Sequence, residues 1–158
     1  MDEKIIKQIM TDSKSVLKKT MEKVNLLLSD TINEKVYKPK SPREYKRSYT
    51  FKNAWYVGRS RKSLNVITQK LMYDYKRMAY NGENYVHGDE GKDRRSIMAS
   101  ILEKQSINKE KKNKNFGGAL NVPSDENEGY WEVFKKDLDT KIYKYLDEEY
   151  LKYGFRRR

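Results

Sequence analysis

The sequence predicts an α+β domain: a long N-terminal helix and a C-terminal helix packed on a small, mainly antiparallel sheet. Three observations predict it. From Glu3 to Val36 there is no Gly or Pro, and apolar residues recur at helical spacing: Ile5, Ile6, Ile9, Met10, Val16, Leu17, Met21, Val24, Leu27, Leu28 and Ile32. Near the other end, Trp131, Phe134, Leu138, Ile142, Tyr145, Leu146 and Tyr150 follow one another at steps of mostly three and four. Between the two lie short runs of aromatic and β-branched residues separated by turn residues, which is strand chemistry. Helices at the ends and strands between them make an α+β arrangement.

The first helix is read over 3–36. Met10, Leu17 and Val24 repeat at seven, with Met21 and Leu28 beside them. The repeat lacks the several heptads a zipper needs, so the stripe is assigned to the core. Pro39 and Pro42 then force the chain out of the helix. The sheet region is read over 45–90. Tyr45 to Val57 is rich in aromatic residues, with a short helical turn from Phe51 to Trp55, and Ser63 to Tyr73 reads as one strand whose alternation changes phase at Val66-Ile67, where a bulge is expected. Asn81-Gly82 and Gly88 to Asp93 are turn chemistry around a short strand at Tyr85-Val86. Ile97, Ile101 and Leu102 share the face of a short helix over 95–105. The segment 106–128, with its lysines and Gly117-Gly118, is read as a mobile loop. The C-terminal helix is read over 130–153, stopped by Gly154, with a basic tail Arg156-Arg157-Arg158. No internal repeat is present, and 158 residues make one domain.

The chain carries 35 Lys and Arg against 23 Asp and Glu, a formal +12. Such an excess favours acidic or polyanionic partners, and a plain solvated basic surface accounts for it equally. Without cysteine there is no disulfide framework and no thiolate chemistry. The N-terminus opens with mixed charge and lacks the apolar run of a signal peptide, so the protein is expected to be soluble and to have no membrane partner.

Catalytic chemistry finds little foothold. His87 is the only histidine and stands in His87-Gly88-Asp89-Glu90-Gly91, with no Gly-x-Ser-x-Gly nearby. His87, Asp89, Glu90 and Asp93 fit neither a zinc spacing nor the calcium-binding loop, and read as a solvated acidic turn. Gly117-Gly118 lacks the Lys-Ser/Thr of a phosphate loop. The pairs Glu148-Glu149 and Asp137-Asp139 are placed on solvent-facing helix surface. A metal-dependent nuclease is disfavoured by the lack of a carboxylate cluster with an adjacent lysine. The expectation is therefore no enzyme, no catalytic or metal-ligating residues and no cofactor.

Binding chemistry is better represented. Basic residues interleave with aromatics in Arg43-Glu44-Tyr45-Lys46-Arg47-Ser48-Tyr49 and in Tyr56-Val57-Gly58-Arg59-Ser60-Arg61-Lys62. Arginine pairs with phosphate and tyrosine stacks on bases, so a nucleic-acid-binding module is one reading. A half-buried amphipathic sheet is the other. The candidate partner-binding residues are Arg59, Arg61 and Lys62 together with Lys109, Lys111, Lys112 and Lys114 of the lysine loop.

The order of parts carries a resemblance. A charged amphipathic helix is followed by Tyr45-Lys46-Arg47-Ser48-Tyr49-Thr50-Phe51-Lys52-Asn53-Ala54-Trp55, a strand running into Leu71-Met72-Tyr73-Asp74, and Tyr85-Val86-His87-Gly88. This resembles the tail-completion or neck proteins of long-tailed phages, small virion components at the head-tail junction. Tyr45 and Arg47 match the family segment after the first helix. Ser48 stands where the pattern has Thr, Phe51 stands for its Leu, and Trp55 follows. Tyr73 ends the strand, and Val86 and Gly88 match the later segment, although no Thr follows Gly88. The resemblance spans most of the chain and implies a non-catalytic role in the virion, after assembly in the host cytoplasm. It implies a homo-oligomeric ring that joins the connector to tail proteins around the DNA passage, with DNA as a further contact.

Overall fold

The computed structural model of the chain describes residues 2–38, 50–64, 66–78, 95–97, 99–100, 103 and 129–155. The predicted strand at Tyr85-Val86 and the predicted loop over 106–128 lie outside them.

Helix α1 spans Glu3–Ile32. Asp2 caps it, its carboxylate accepting from Lys4 N at 3.0 Å, and Glu3 sits in the first turn where the helix dipole favours an acid. Beyond Ile32 the helix widens into a π-turn over Asn33–Tyr37, closed by Lys38 N donating to Asn33 O, and Val36 is buried. The helical run thus ends at the approach to Pro39. Its buried face is Val16, Thr20, Val24, Leu27, Leu28, Thr31 and Ile32, a line of three- and four-residue steps. Met10 and Leu17 are only half-buried, so the core follows that line and not the seven-residue repeat.

After a 3₁₀ turn at Phe51–Ala54, four short strands follow: β1 (Trp55–Val57), β2 (Arg61–Ser63), β3 (Val66–Thr68) and β4 (Leu71–Tyr73). β1 pairs antiparallel with β4 and β2 with β3. The nesting makes one long hairpin with an interruption midway. There Gly58 N donates to Lys70 O at 2.9 Å and the Gln69 amide donates to Gly58 O at 3.0 Å, which carries the pairing across the gap. The segment Ser63 to Tyr73 is therefore not one bulged strand. The chain turns back after Ser63 through Leu64, whose φ is +48°, and the irregularity lies at Gln69-Lys70. A 3₁₀ turn at Tyr75–Arg77, capped by the Asp74 carboxylate on Lys76 N, leads to buried Met78.

Helix α2 spans Tyr130–Leu151. Gly129 precedes it without a capping side chain, and the Glu103 carboxylate accepts from Trp131 N at 2.9 Å instead. A Cβ on Gly129 would lie 2.3 Å from a Glu103 oxygen, so glycine leaves room for a cap that arrives from elsewhere in the chain. At the other end Gly154 adopts φ +79°, with Phe155 N donating to Tyr150 O and Gly154 N to Leu151 O. Those two bonds form a Schellman stop.

The helices run antiparallel. Tyr130 and Phe134 share a core with Leu28 and Ile32, whereas Lys23 reaches Glu148 and Glu149 near the far end of α2. This helix pair is the broadest contact among the described elements, and β1 packs beside it on α1. A run of touching rings closes the core: Tyr130 against Phe51 (5.6 Å, edge-on), Phe51 against Tyr73 (6.2 Å), Tyr73 against Trp55 (5.0 Å), Trp55 stacked on Trp131 (5.1 Å) and Trp131 against Phe134 (5.2 Å).

Two stability predictions follow from this packing. Phe134 is buried, so Phe134→Ala costs about 3–5 kcal/mol, a large share of the stability of a small domain; Trp131 is half-buried and its truncation costs the lower end of that range. Denaturant titration followed by tryptophan fluorescence for Phe134→Ala, and by circular dichroism for both, checks this. Leu64 is 90% exposed and left-handed, so Leu64→Gly relieves strain without losing burial and raises stability by about 0.5–1 kcal/mol in the same titration.

Candidate interaction surface

Antiparallel pairing fixes how far each helix reaches. Lys23 stands opposite Glu149, and α2 ends two residues later at Leu151. The first three turns of α1 therefore run on past α2, and Ile5, Ile6 and Ile9 on them are 52%, 43% and 36% exposed. The hairpin formed by β2 and β3 comes alongside this overhang.

Between the two lies a groove of about 430 Å³ lined by Lys7, Met10, Thr11 and Lys14 of α1 and by Ser60, Arg61, Lys62 and Ile67 of the hairpin. The helical residues stand at i, i+3, i+4 and i+7, which puts them on one face. On the hairpin, Lys62 pairs across the ladder with Ile67 and Arg61 with Thr68. Four cations thus surround a floor of Met10 and Ile67. Among the described residues no carboxylate lines it. Lys7 makes an ion pair with Glu3 at 2.8 Å, but both side chains are solvent-exposed and such a pair holds little energy. Lys14, Arg61 and Lys62 make no ion pair among the described residues. The hydroxyl of Thr11 donates to Lys7 O in its own helix.

Of the residues singled out in the sequence, Arg61 and Lys62 line this groove and Arg59 is exposed just before it. Lys109, Lys111, Lys112 and Lys114 lie outside the described residues, as do Tyr45, Arg47, Ser48, Val86, Gly88 and His87. Phe51, Trp55 and Tyr73 belong to the ring cluster of the core. Lys7, Met10 and Lys14 escaped the sequence reading, which took Met10 as core. Their i, i+3, i+4, i+7 spacing was visible, but the hairpin that faces them was hidden inside the supposed long strand.

The aromatic and basic residues of the second cluster do not form a free stacking platform. The Arg77 guanidinium lies 3.7 Å from the Tyr56 ring centre, covering a face, and Trp55 is occupied by Trp131 and Tyr73. Trp55 Nε1 is buried with no hydrogen-bond partner among the described residues.

One expectation is corrected. Glu148 and Glu149 do not both face solvent: Glu149 is only 2% exposed. Lys23 lies 2.7 Å from Glu148 and 2.8 Å from Glu149, and Lys152 lies 2.8 Å from Glu149. Lys23 holds Glu148 below the usual carboxylate range, and Lys152 with Lys23 does the same for Glu149. Hydrogen bonds to the two acids raise Lys23 in turn. The sequence pattern concealed this because a buried acid is readable only once its cations are located.

Elsewhere, burial raises the hydroxyls of Tyr130 and Tyr73 and the carboxyl of Glu103. Among the described residues no group of three or more His, Asp or Glu is placed to hold a metal ion, and no described helix is long and apolar enough to cross a membrane. No family model, curated protein or solved structure matches the chain.

The clamp of Lys23 on Glu148 and Glu149 predicts a pH profile. The acids have lowered values, so their contribution is complete above the ordinary carboxylate range near about 4.3 and is lost as pH falls through the folded values. Lys23 has a raised value, so its contribution is complete below about 10.4 and is lost as pH rises past the folded value. Melting temperature should fall at both edges. Lys23→Met should cost about 1–3 kcal/mol at neutral pH, Lys152 still partnering Glu149, and should flatten part of the acid limb. An unaltered melting profile in that variant would show the clamp to be energetically silent.

Proposed function

We propose that this chain is a structural virion protein, a ring-forming adaptor at the head-tail junction of a long-tailed phage that joins the connector to the tail. The observation that carries the reading is the end of the molecule where α1 overhangs. Exposed isoleucines, a cationic groove and a projecting hairpin with Leu64 at its tip gather on the parts of the fold that its own core leaves uncovered. An assembly subunit needs such surfaces for its neighbours. The resemblance to neck proteins in the order of the helix, the Tyr45-to-Trp55 segment and the strand ending in Tyr73 supplies the place of assembly.

A nucleic-acid-binding module is the second reading, favoured by Lys14, Arg61 and Lys62, which make no ion pair among the described residues. Charge alone supports it. The ring faces in its vicinity are taken by other side chains, whereas single-strand binders present them to bases.

Alone in solution the protein should be monomeric or weakly associated, and on its partners it should form a closed ring without enzymatic turnover. Light scattering of the isolated chain and cryo-electron microscopy of particles containing it check this. The expected density is a ring at the vertex through which DNA passes; a stable isolated dimer with hydrolase activity, or density confined to the capsid lattice, would end the proposal.

A further inference from the structure

We infer that the groove between the α1 overhang and the β2-β3 hairpin is a docking site for an acidic peptide segment with an apolar anchor, contributed by a neighbouring protein. The inference deepens the assembly reading, which supplies the source of the segment, while the chemistry of the groove is testable without it.

Charge decides the sign of the occupant. Lys7, Lys14, Arg61 and Lys62 border a space into which no carboxylate of the lining projects. Like charges held around one cavity repel one another, and an anionic chain lying among them removes that cost while gaining charge-assisted hydrogen bonds. Arg61 adds a planar fork that fits a carboxylate with two bonds.

The floor decides between a peptide and a nucleic acid. Met10 and Ile67 are apolar, and a phosphodiester backbone gains nothing from covering them. A leucine or similar side chain does gain, and a flexible Met adapts to its shape. Nucleic acid would prefer a ring to stack on, and none of the described rings lines this groove. The volume of about 430 Å³ falls within the range that holds a compact ligand, here a few side chains of an extended or helical segment. All four cations, Lys7, Lys14, Arg61 and Lys62, sit on exposed positions that the core does not use, so the surface is separable from stability.

Fluorescence anisotropy with the full chain tests this. The probes are a fluorescein-labelled glutamate-rich peptide with a central leucine pair, an oligoglutamate of equal length and a short DNA duplex, all at physiological ionic strength. The leucine-bearing peptide should bind about tenfold more tightly than oligoglutamate, a difference of about 1.4 kcal/mol. Lys14→Glu with Arg61→Glu and Lys62→Glu should weaken it at least about tenfold with an unchanged circular-dichroism melt. Met10→Ser with Ile67→Ser should erase the advantage of the leucines and leave oligoglutamate unaffected.

Equal binding of both peptides would mean simple ion exchange and overturn the inference. So would the absence of peptide binding, or tighter binding of the duplex lost through the same three charge reversals. Peptide binding by a chain that takes no place in a particle would keep the groove assignment and sink the neck reading. A ring at the head-tail vertex without peptide binding would do the reverse.

Discussion

Rings of Tyr130, Phe51, Tyr73, Trp55, Trp131 and Phe134 touch in an unbroken run, and that run ties together segments that have little else in common. Tyr130, Trp131 and Phe134 come from the first turns of α2, Phe51 from a 3₁₀ turn, and Trp55 and Tyr73 from the paired outer strands of the hairpin. A chain with 36% hydrophobic residues cannot rely on a large aliphatic core, so it concentrates burial in wide side chains that each remove much area from water. Edge-on and offset contacts among them add direction to that burial, because ring quadrupoles disfavour face-to-face overlap. The hairpin therefore packs against α2 at a defined place.

Register along the helices has a polar origin. Hydrophobic contact between two helices tolerates sliding, whereas a buried carboxylate such as Glu149 is costly away from its cations. Lys23 satisfies it from α1 across the interface and Lys152 from the C-terminal end of its own helix. Fixing Lys23 against Glu149 fixes where α2 runs out along α1, and the unequal helix lengths, 30 residues against 22, then leave the N-terminal turns of α1 overhanging. The groove exists because of that inequality. None of its lining residues belongs to the ring cluster or to the buried core.

Both helices were legible in the sequence because period-3.6 patterning persists over seven or more residues on each side and is closed by strong stops, Pro39 and Gly154. The hairpin was not. Its turn uses Leu64 in a left-handed conformation, and leucine signals no turn; Ser63 to Tyr73 consequently reads as one strand with its irregularity at Val66-Ile67. Arg61 and Lys62 were visible as candidates, and Lys7 and Lys14 were not, because a site made of two chain segments is recognised only when the turn that brings them together is recognised. Glu149 shows the same limit from the other side: a Glu-Glu pair on a helix reads as solvent-facing until Lys23, more than a hundred residues away, is found beside it.

The free-energy balance at the overhang also bears on what the molecule is for. Three isoleucines on the first turns of α1 remain exposed while Val16, Val24, Leu28 and Ile32 further along are covered, and a helix that stopped short of them would lose none of the described core. Full burial of such a side chain is worth roughly 1.5–3 kcal/mol; each half-exposed isoleucine forgoes about half of that or less, and the leucine at the hairpin tip forgoes nearly all of it while adding backbone strain. An isolated domain gains nothing from either feature. On the proposed assembly reading, a neighbour that covered these side chains would recover that energy as association, and the cationic groove at the same end of α1 would favour a neighbour that brings negative charge. In that proposed arrangement apolar area would supply affinity and the four cations selection, a division of labour for which the α1 overhang and the adjacent hairpin carry both kinds of side chain.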